Sequence, residues 1–90
     1  MPSFLHISFD FSGPPKIKEL KPVFDKALDW YRYTSNCWIV WSTNDAERWY
    51  ARLKPLLDDG DTMLIIPFEF SPMTGFASQD IWDFFAKHHE

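Results

Sequence analysis

A stretch of alternating side chains near the N-terminus, FLHISFDF over residues 4–11, restricts the possible folds of this chain most strongly. The odd positions are all apolar: Leu5, Ile7, Phe9 and Phe11. The even positions carry one more ring and three polar groups: Phe4, His6, Ser8 and Asp10. Because side chains alternate across a β-strand, the pattern predicts a strand with one fully apolar face that ends at an aspartate.

Two helix–strand transitions follow. Apolar residues recur every three or four positions from Ile17 to Tyr31, which predicts an amphipathic helix beginning near residue 18 or 19, with Pro22 in its first turn. The next segment, DWYRYTSNCWIVWST, predicts a hairpin with strands near Trp30–Tyr33 and Cys37–Ser42. Its first arm could instead be the last turn of the helix.

A second helix, a last strand and a terminal helix follow along the chain. Asn44 followed by Glu47 predicts a capped helix start, and Pro55 should bend or end this helix near residue 54. Residues 62–70 predict a strand, and Pro67 places part of it at a sheet edge or beside a bulge. Ser78 can cap a terminal helix.

The element order β-α-β-β-α-β predicts an α+β fold, a ferredoxin-like sandwich with an extra C-terminal helix, in one domain over residues 1–90. In such a sandwich two helices cover one face of the sheet and the other face is open. The open face is expected to be too apolar for water, so we expect a two-fold homodimer that buries it. The expected interface residues are Phe4, His6, Ser8, Met63, Ile65 and Pro67.

Composition supports association and argues against some functions. Five Trp, nine Phe and three Tyr are more aromatic surface than a core of 90 residues easily hides. The net charge of −4 gives little general attraction for nucleic acid. The single cysteine, Cys37, predicts a reducing compartment. With no signal-peptide pattern and no apolar run long enough to span a membrane, we expect a cytoplasmic protein.

The chain resembles the small bacterial proteins labelled SinR-like, and through them the CRISPR-associated protein-two family and the VapD-type toxin ribonucleases. The resemblance rests on FLHISFDF with its terminal aspartate, the aromatic hairpin, LKPLLDDGDTMLIIPFEF and SQDIWDFFAKH. It implies a homodimer and a metal-dependent nuclease activity that is not general among these relatives. In it, Asp10 would be the catalytic residue and the metal ligand, with Mg²⁺ as the cation. The terminal helix replaces a strand found in the CRISPR-associated branch.

Three function classes stay open. One is a metal-dependent nuclease of the ribonuclease type, in which a dimer axis places two Asp10 carboxylates side by side. The second is a non-catalytic dimeric interaction module with a protein partner, such as a defence, anti-defence or toxin–antitoxin protein. The third is a nucleic-acid-binding module. The alternative for Asp10 is a structural role, in which it accepts hydrogen bonds from the loop SGPPK that follows it.

Other polar and aromatic residues give weaker signals. His6, Ser8 and Asp10 cannot form a relay, because residues two apart on a strand are about 7 Å apart. Four sets are expected to be structural or solvated: Cys37, the pair His88 and His89, the turn aspartates Asp58, Asp59 and Asp61, and the tryptophans Trp30, Trp38 and Trp41. Stacking of RNA bases on these tryptophans is the alternative use.

Overall fold

The computed structural model describes residues 2–71 and 74–88. The elements are β1 (Ser3–Asp10), α1 (Ile17–Phe24), β2 (Asp29–Thr34), β3 (Cys37–Ser42), α2 (Ala46–Leu53), a 3₁₀ turn (Lys54–Leu56), β4 (Thr62–Phe68) and α3 (Gln79–His88). The strands form one antiparallel sheet in the order β2-β3-β1-β4. The predicted α+β class is confirmed, and the arrangement is compatible with a ferredoxin-like fold.

The first face of the sheet packs against α1 and α2. Phe24 of α1 stacks on Trp38 of β3, with ring centroids 4.6 Å apart. The buried residues of this core are Leu5, Ile7, Phe9, Leu20, Phe24, Trp38, Val40, Trp49 and Leu53. The indole N–H of Trp49 donates to the Ser42 hydroxyl at 3.0 Å, so the polar atom of this large side chain is satisfied inside the core.

The second face is half covered by α3. Ile81, Phe84 and Phe85 of the helix pack with Phe4 and Ile39 of the sheet in a separate buried cluster. The expectation that Phe4 lies on an open face is therefore wrong, because the terminal helix buries its ring within the same chain. An amphipathic helix must place its apolar stripe on some surface, and this sheet face is the one left by α1 and α2.

The end of α3 is fixed to the sheet by side chains. His88 Nε2 lies 2.8 Å from Asp29 Oδ2, and the His88 ring stacks on Trp41 with centroids 5.1 Å apart. His88 is thus a structural residue, while His89 lies outside the described residues. Core packing also accounts for the three tryptophans. Trp38 is buried, Trp30 packs against the first core, and Trp41 packs against the cluster under α3.

The register of β4 corrects the expected interface. Met63, Ile65 and Pro67 align with Phe9, Ile7 and Leu5, so they point toward the helix-covered first face. The residues that share the second face with Phe4, His6 and Ser8 are Leu64, Ile66 and Phe68. The six residues of the expected interface therefore do not share one face. Both faces of β4 are apolar, so alternation separates the two sets without showing which one faces the helices.

Two helix boundaries also differ from expectation. Asp45, rather than Asn44, caps α2, and its carboxylate accepts from the Arg48 backbone N–H at 2.9 Å. The first helix ends at Phe24, and the segment that could have been its last turn is strand β2. The edge position of β4 and the end of α2 before Pro55 are confirmed. Within the described ranges, no helix has the length and apolar character needed to cross a membrane.

Candidate functional site

The half of the second sheet face that α3 leaves uncovered is the candidate site, and we call it the open half-face. Strand β1 supplies its centre, β4 one side, and the hairpin of β2 and β3 the other. Its members are His6, Ser8, Asp10, Tyr33, Cys37, Leu64 and Ile66. Of the sequence-predicted site residues, it contains His6, Ser8 and Asp10.

The β4 side of the open half-face is apolar and exposed. Leu64 is 59% exposed and Ile66 is 46% exposed. They lie opposite Ser8 and His6 in the β1–β4 register, on β4, which is an edge strand of the sheet. Exposed apolar side chains on an edge strand are a recognised site of association with another chain.

The other side holds a cluster of His6, Tyr33 and Cys37. His6 Nε2 and the Tyr33 hydroxyl are hydrogen-bonded at 2.5 Å. Burial lowers the pKa of His6, so its imidazole is neutral at pH 7. Burial, followed by the neighbouring Cys37 thiol, raises the pKa of Tyr33 to about 12. His6 and Tyr33 are therefore both uncharged near neutrality.

A β-bulge explains how Tyr33 reaches His6. The β2–β3 register shifts between Arg32 and Thr34, so Tyr33 is the extra residue on its strand. A bulge changes the direction of a side chain locally. The Tyr33 ring reaches past β3, where Cys37 lies, to meet His6 on β1. Sequence reasoning treated Cys37 as an ordinary strand residue and missed Tyr33, because the contact between residues 27 positions apart depends on this bulge.

Asp10 lies at the margin of the open half-face. Its side chain is exposed, and it pairs with Thr62 at the end of the β1–β4 ladder. In residues 2–71 and 74–88, no three His, Cys, Asp or Glu side chains come together as a metal-binding group. A single exposed carboxylate is a weak ligand set for Mg²⁺, which commonly takes one or two carboxylates with waters and substrate phosphates. The expected magnesium site was a dimer site, to which each chain supplies Asp10.

The loop after β1 is held by Asp61 instead of Asp10. One oxygen of Asp61 accepts from the Ser12 backbone N–H at 2.7 Å, and the other lies 2.6 Å from Lys16 Nζ and accepts from the Asp58 N–H at 2.8 Å. The Asp61 side chain is 0% exposed. These partners, Lys16 first, hold the pKa of Asp61 well below its usual range. Asp61, and not Asp10, therefore accepts the hydrogen bonds from this loop.

A groove adjoins the open half-face beside Tyr33. Its volume is about 530 Å³, and it separates the hairpin from α3 and the segment before that helix. Aromatic rings of Trp82 and Phe85 form part of its wall, and Phe76 at its rim is fully exposed. The apolar surface of this region thus extends beyond β4.

Comparison with protein-family models, with curated proteins and with solved structures gives no match for this chain.

Proposed function

We propose that this protein is a self-associating module of ferredoxin-like fold, which acts as a homodimer joined through the open half-face. The observation that carries the proposal is the exposure of Leu64 and Ile66, side by side on an edge strand. Burial of such side chains is the main favourable term in protein association. The resemblance to SinR-like proteins and the reducing compartment suggested by one free cysteine agree with a cytoplasmic dimer.

Charge favours a second copy of this chain as the partner. Each subunit carries a net charge of −4, so two subunits repel unless uncharged surfaces meet. The open half-face has one formal charge, at Asp10 on its margin, because His6 and Tyr33 are neutral. A two-fold axis brings such a patch against itself, as an isologous interface requires.

The size of the patch limits the strength of this dimer. Half of a four-stranded sheet covers roughly 150–250 Å² in projection, from a strand spacing of ~4.8 Å and a rise of ~3.3 Å per residue. A standard interface buries about 800 Å² on each partner. Even with the neighbouring groove and Phe76, the interface is small. We therefore expect a dissociation constant on the order of micromolar or weaker.

Sedimentation over a range of concentrations tests the proposal. The wild-type chain should move from monomer to dimer between about 1 and 100 μM, in line with the expected affinity. Replacing Leu64 and Ile66 by lysine removes about 1 kcal/mol of burial for each of four side chains, or roughly a thousandfold in affinity. Leu28→Lys is the matched control, because Leu28 is 60% exposed but lies outside the open half-face. Equal association of the control and the double variant would reject this interface.

A second candidate is a metal-dependent nuclease within the same dimer. It is favoured by the position of Asp10, which is exposed and shares a sheet face with Ser8 and His6. Two Asp10 carboxylates meeting near a two-fold axis would fit Mg²⁺, which supplies activation of water and neutralisation of phosphate charge when bound. In this proposal Asp10, at the margin of the interface, binds the cation.

Magnesium-dependent cleavage of RNA and DNA tests this second candidate. Asp10→Asn keeps the shape of the side chain and removes its charge, so it should abolish cleavage and leave association unchanged. Asp59→Asn, another exposed aspartate, should cut as wild type does. If the wild-type protein cuts nothing with Mg²⁺ or Mn²⁺, the interaction module alone remains.

A further inference from the structure

Three side chains with different donor atoms, His6, Tyr33 and Cys37, lie together on the open half-face. The Tyr33 hydroxyl lies 2.5 Å from His6 Nε2. Cys37 lies opposite Ser8 in the β1–β3 register, on the same sheet face as His6, and its thiol contributes to the raised pKa of Tyr33. The three residues come from three adjacent strands, β1, β2 and β3. Strands β1 and β2 are separated by about 9–10 Å, so only a long side chain redirected by a bulge can close that distance.

The cluster is reachable from solvent without unfolding. His6 and Cys37 are half-buried, and Tyr33 is partly exposed. The neighbours on the same sheet face are Ser8, Ile39 and Ile66, and none of these three carries a positive charge that would repel a cation. The neutral imidazole has a free lone pair once its bond to Tyr33 opens, and a neutral nitrogen is what metal coordination requires.

We propose that His6, Tyr33 and Cys37 form a binding site for a borderline-soft transition-metal cation of the Zn²⁺ class. Imidazole nitrogen and thiolate sulfur select such cations, whereas Mg²⁺ and Ca²⁺ take oxygen ligands. The Tyr33 oxygen completes three protein donors and leaves one coordination position open. In such a site nitrogen and sulfur would bind the cation at the usual Zn–N and Zn–S distances of about 2.0–2.1 and 2.3 Å.

All three donors belong to one chain, so the site needs no residue of a partner, and it lies on the half-face through which the proposed dimer forms. Coordination removes the thiol proton of Cys37, and the phenol proton must also leave for full coordination by Tyr33. Metal binding therefore releases protons, and affinity should rise as pH increases through the neutral range. The affected residues are distinct from Asp10, so this site and the proposed magnesium site can be tested separately.

Titration of untagged, reduced protein with Co²⁺ tests the site, because cobalt replaces zinc and reports its ligands by absorption. The wild-type chain should bind one Co²⁺ per chain with a sulfur-to-cobalt charge-transfer band, and Zn²⁺ should displace it. Cys37→Ser should remove the band, and His6→Gln should weaken binding strongly. Tyr33→Phe should lower affinity at least 10- to 100-fold, the loss typical of even an outer-shell partner.

His88→Gln is the matched control for unspecific histidine binding, since His88 is held by Asp29 at the far end of α3. It should bind Co²⁺ as wild type does. Far-UV circular dichroism confirms the fold of each variant, and Tyr33→Phe and Cys37→Ser change only one atom or remove one. Absence of the charge-transfer band in the wild type would overturn the assignment. So would equal affinity in wild type and both His6→Gln and Tyr33→Phe.

Discussion

Removal of the Phe9 ring should destabilise the first core more than any surface change. Phe9 is 5% exposed and lies at the centre of an aromatic group. Its ring meets Trp38 edge-on at 5.3 Å, meets Phe24 edge-on at 6.4 Å and stacks on Phe11 at 5.3 Å. Phe9→Ala therefore removes burial and three ring contacts at once, and it leaves a cavity between β1 and the helices.

The expected cost follows from this environment. A buried Phe→Ala change costs about 3–5 kcal/mol, and the dense ring packing places Phe9 in the upper part of that range. A chain of this length has roughly 5–13 kcal/mol of stability in total. With a urea dependence of about 1.5 kcal/mol per M, the unfolding midpoint should fall by about 3 M.

Urea unfolding followed by tryptophan fluorescence measures this shift. Phe76→Ala is the matched control, because it makes the same chemical change at a fully exposed ring. Its stability should stay within about 0.5 kcal/mol of wild type. Similar midpoints for Phe9→Ala and the wild-type chain would show that the first face of β1 is assigned wrongly.

Two further predictions concern the contact between the loop after β1 and the turn before β4. Gly60→Ala would place a Cβ atom 2.7 Å from the Ser12 Cβ, so it should cost about 1–3 kcal/mol in urea unfolding. Gly13→Ala meets nothing within 4 Å and should be nearly neutral, and equal effects of the two changes would contradict this contact. Because the pKa of Asp61 is lowered by folding, its contribution is present above the unfolded value of about 3.9 and is lost as pH falls toward the folded value. Asp61→Asn should thus destabilise at pH 7 and flatten the decline of the urea midpoint below about pH 4, and an unchanged decline would refute the role of this carboxylate.

The sequence predicted the elements well because their signals are local. Alternation in FLHISFDF, the aromatic hairpin and Pro67 each depend on residues close together in the chain, and β1, the β2–β3 hairpin and the edge strand β4 were placed correctly. The cap of α2 was displaced by one residue. Asn44 and Asp45 are both residue types that commonly cap helices. The spacing of Asn44 and Glu47 matches a capping box, so the pattern favoured the wrong residue.

The candidate site was harder to predict because it depends on contacts between distant segments. The stripe of Ile81 and Phe85 predicts that α3 docks, but it does not say that α3 covers Phe4. The Tyr33–His6 contact depends on a bulge. The hydrogen bond between Ser12 and Asp61 joins loops that are 49 positions apart in the chain. The turn DDGD contains several aspartates, and nothing in its sequence indicates that Asp61 is the one with a buried side chain.

Isotope-filtered NMR on a mixed sample of labelled and unlabelled chains at high concentration tests the proposed dimer most directly. The filter records only nuclear Overhauser effects between different chains. If the dimer forms through the open half-face, intermolecular contacts are expected from the methyl groups of Leu64 and Ile66, and they should weaken on dilution as the dimer dissociates. Intermolecular contacts confined to other surfaces, such as that around Leu28, or none at millimolar protein, would contradict it.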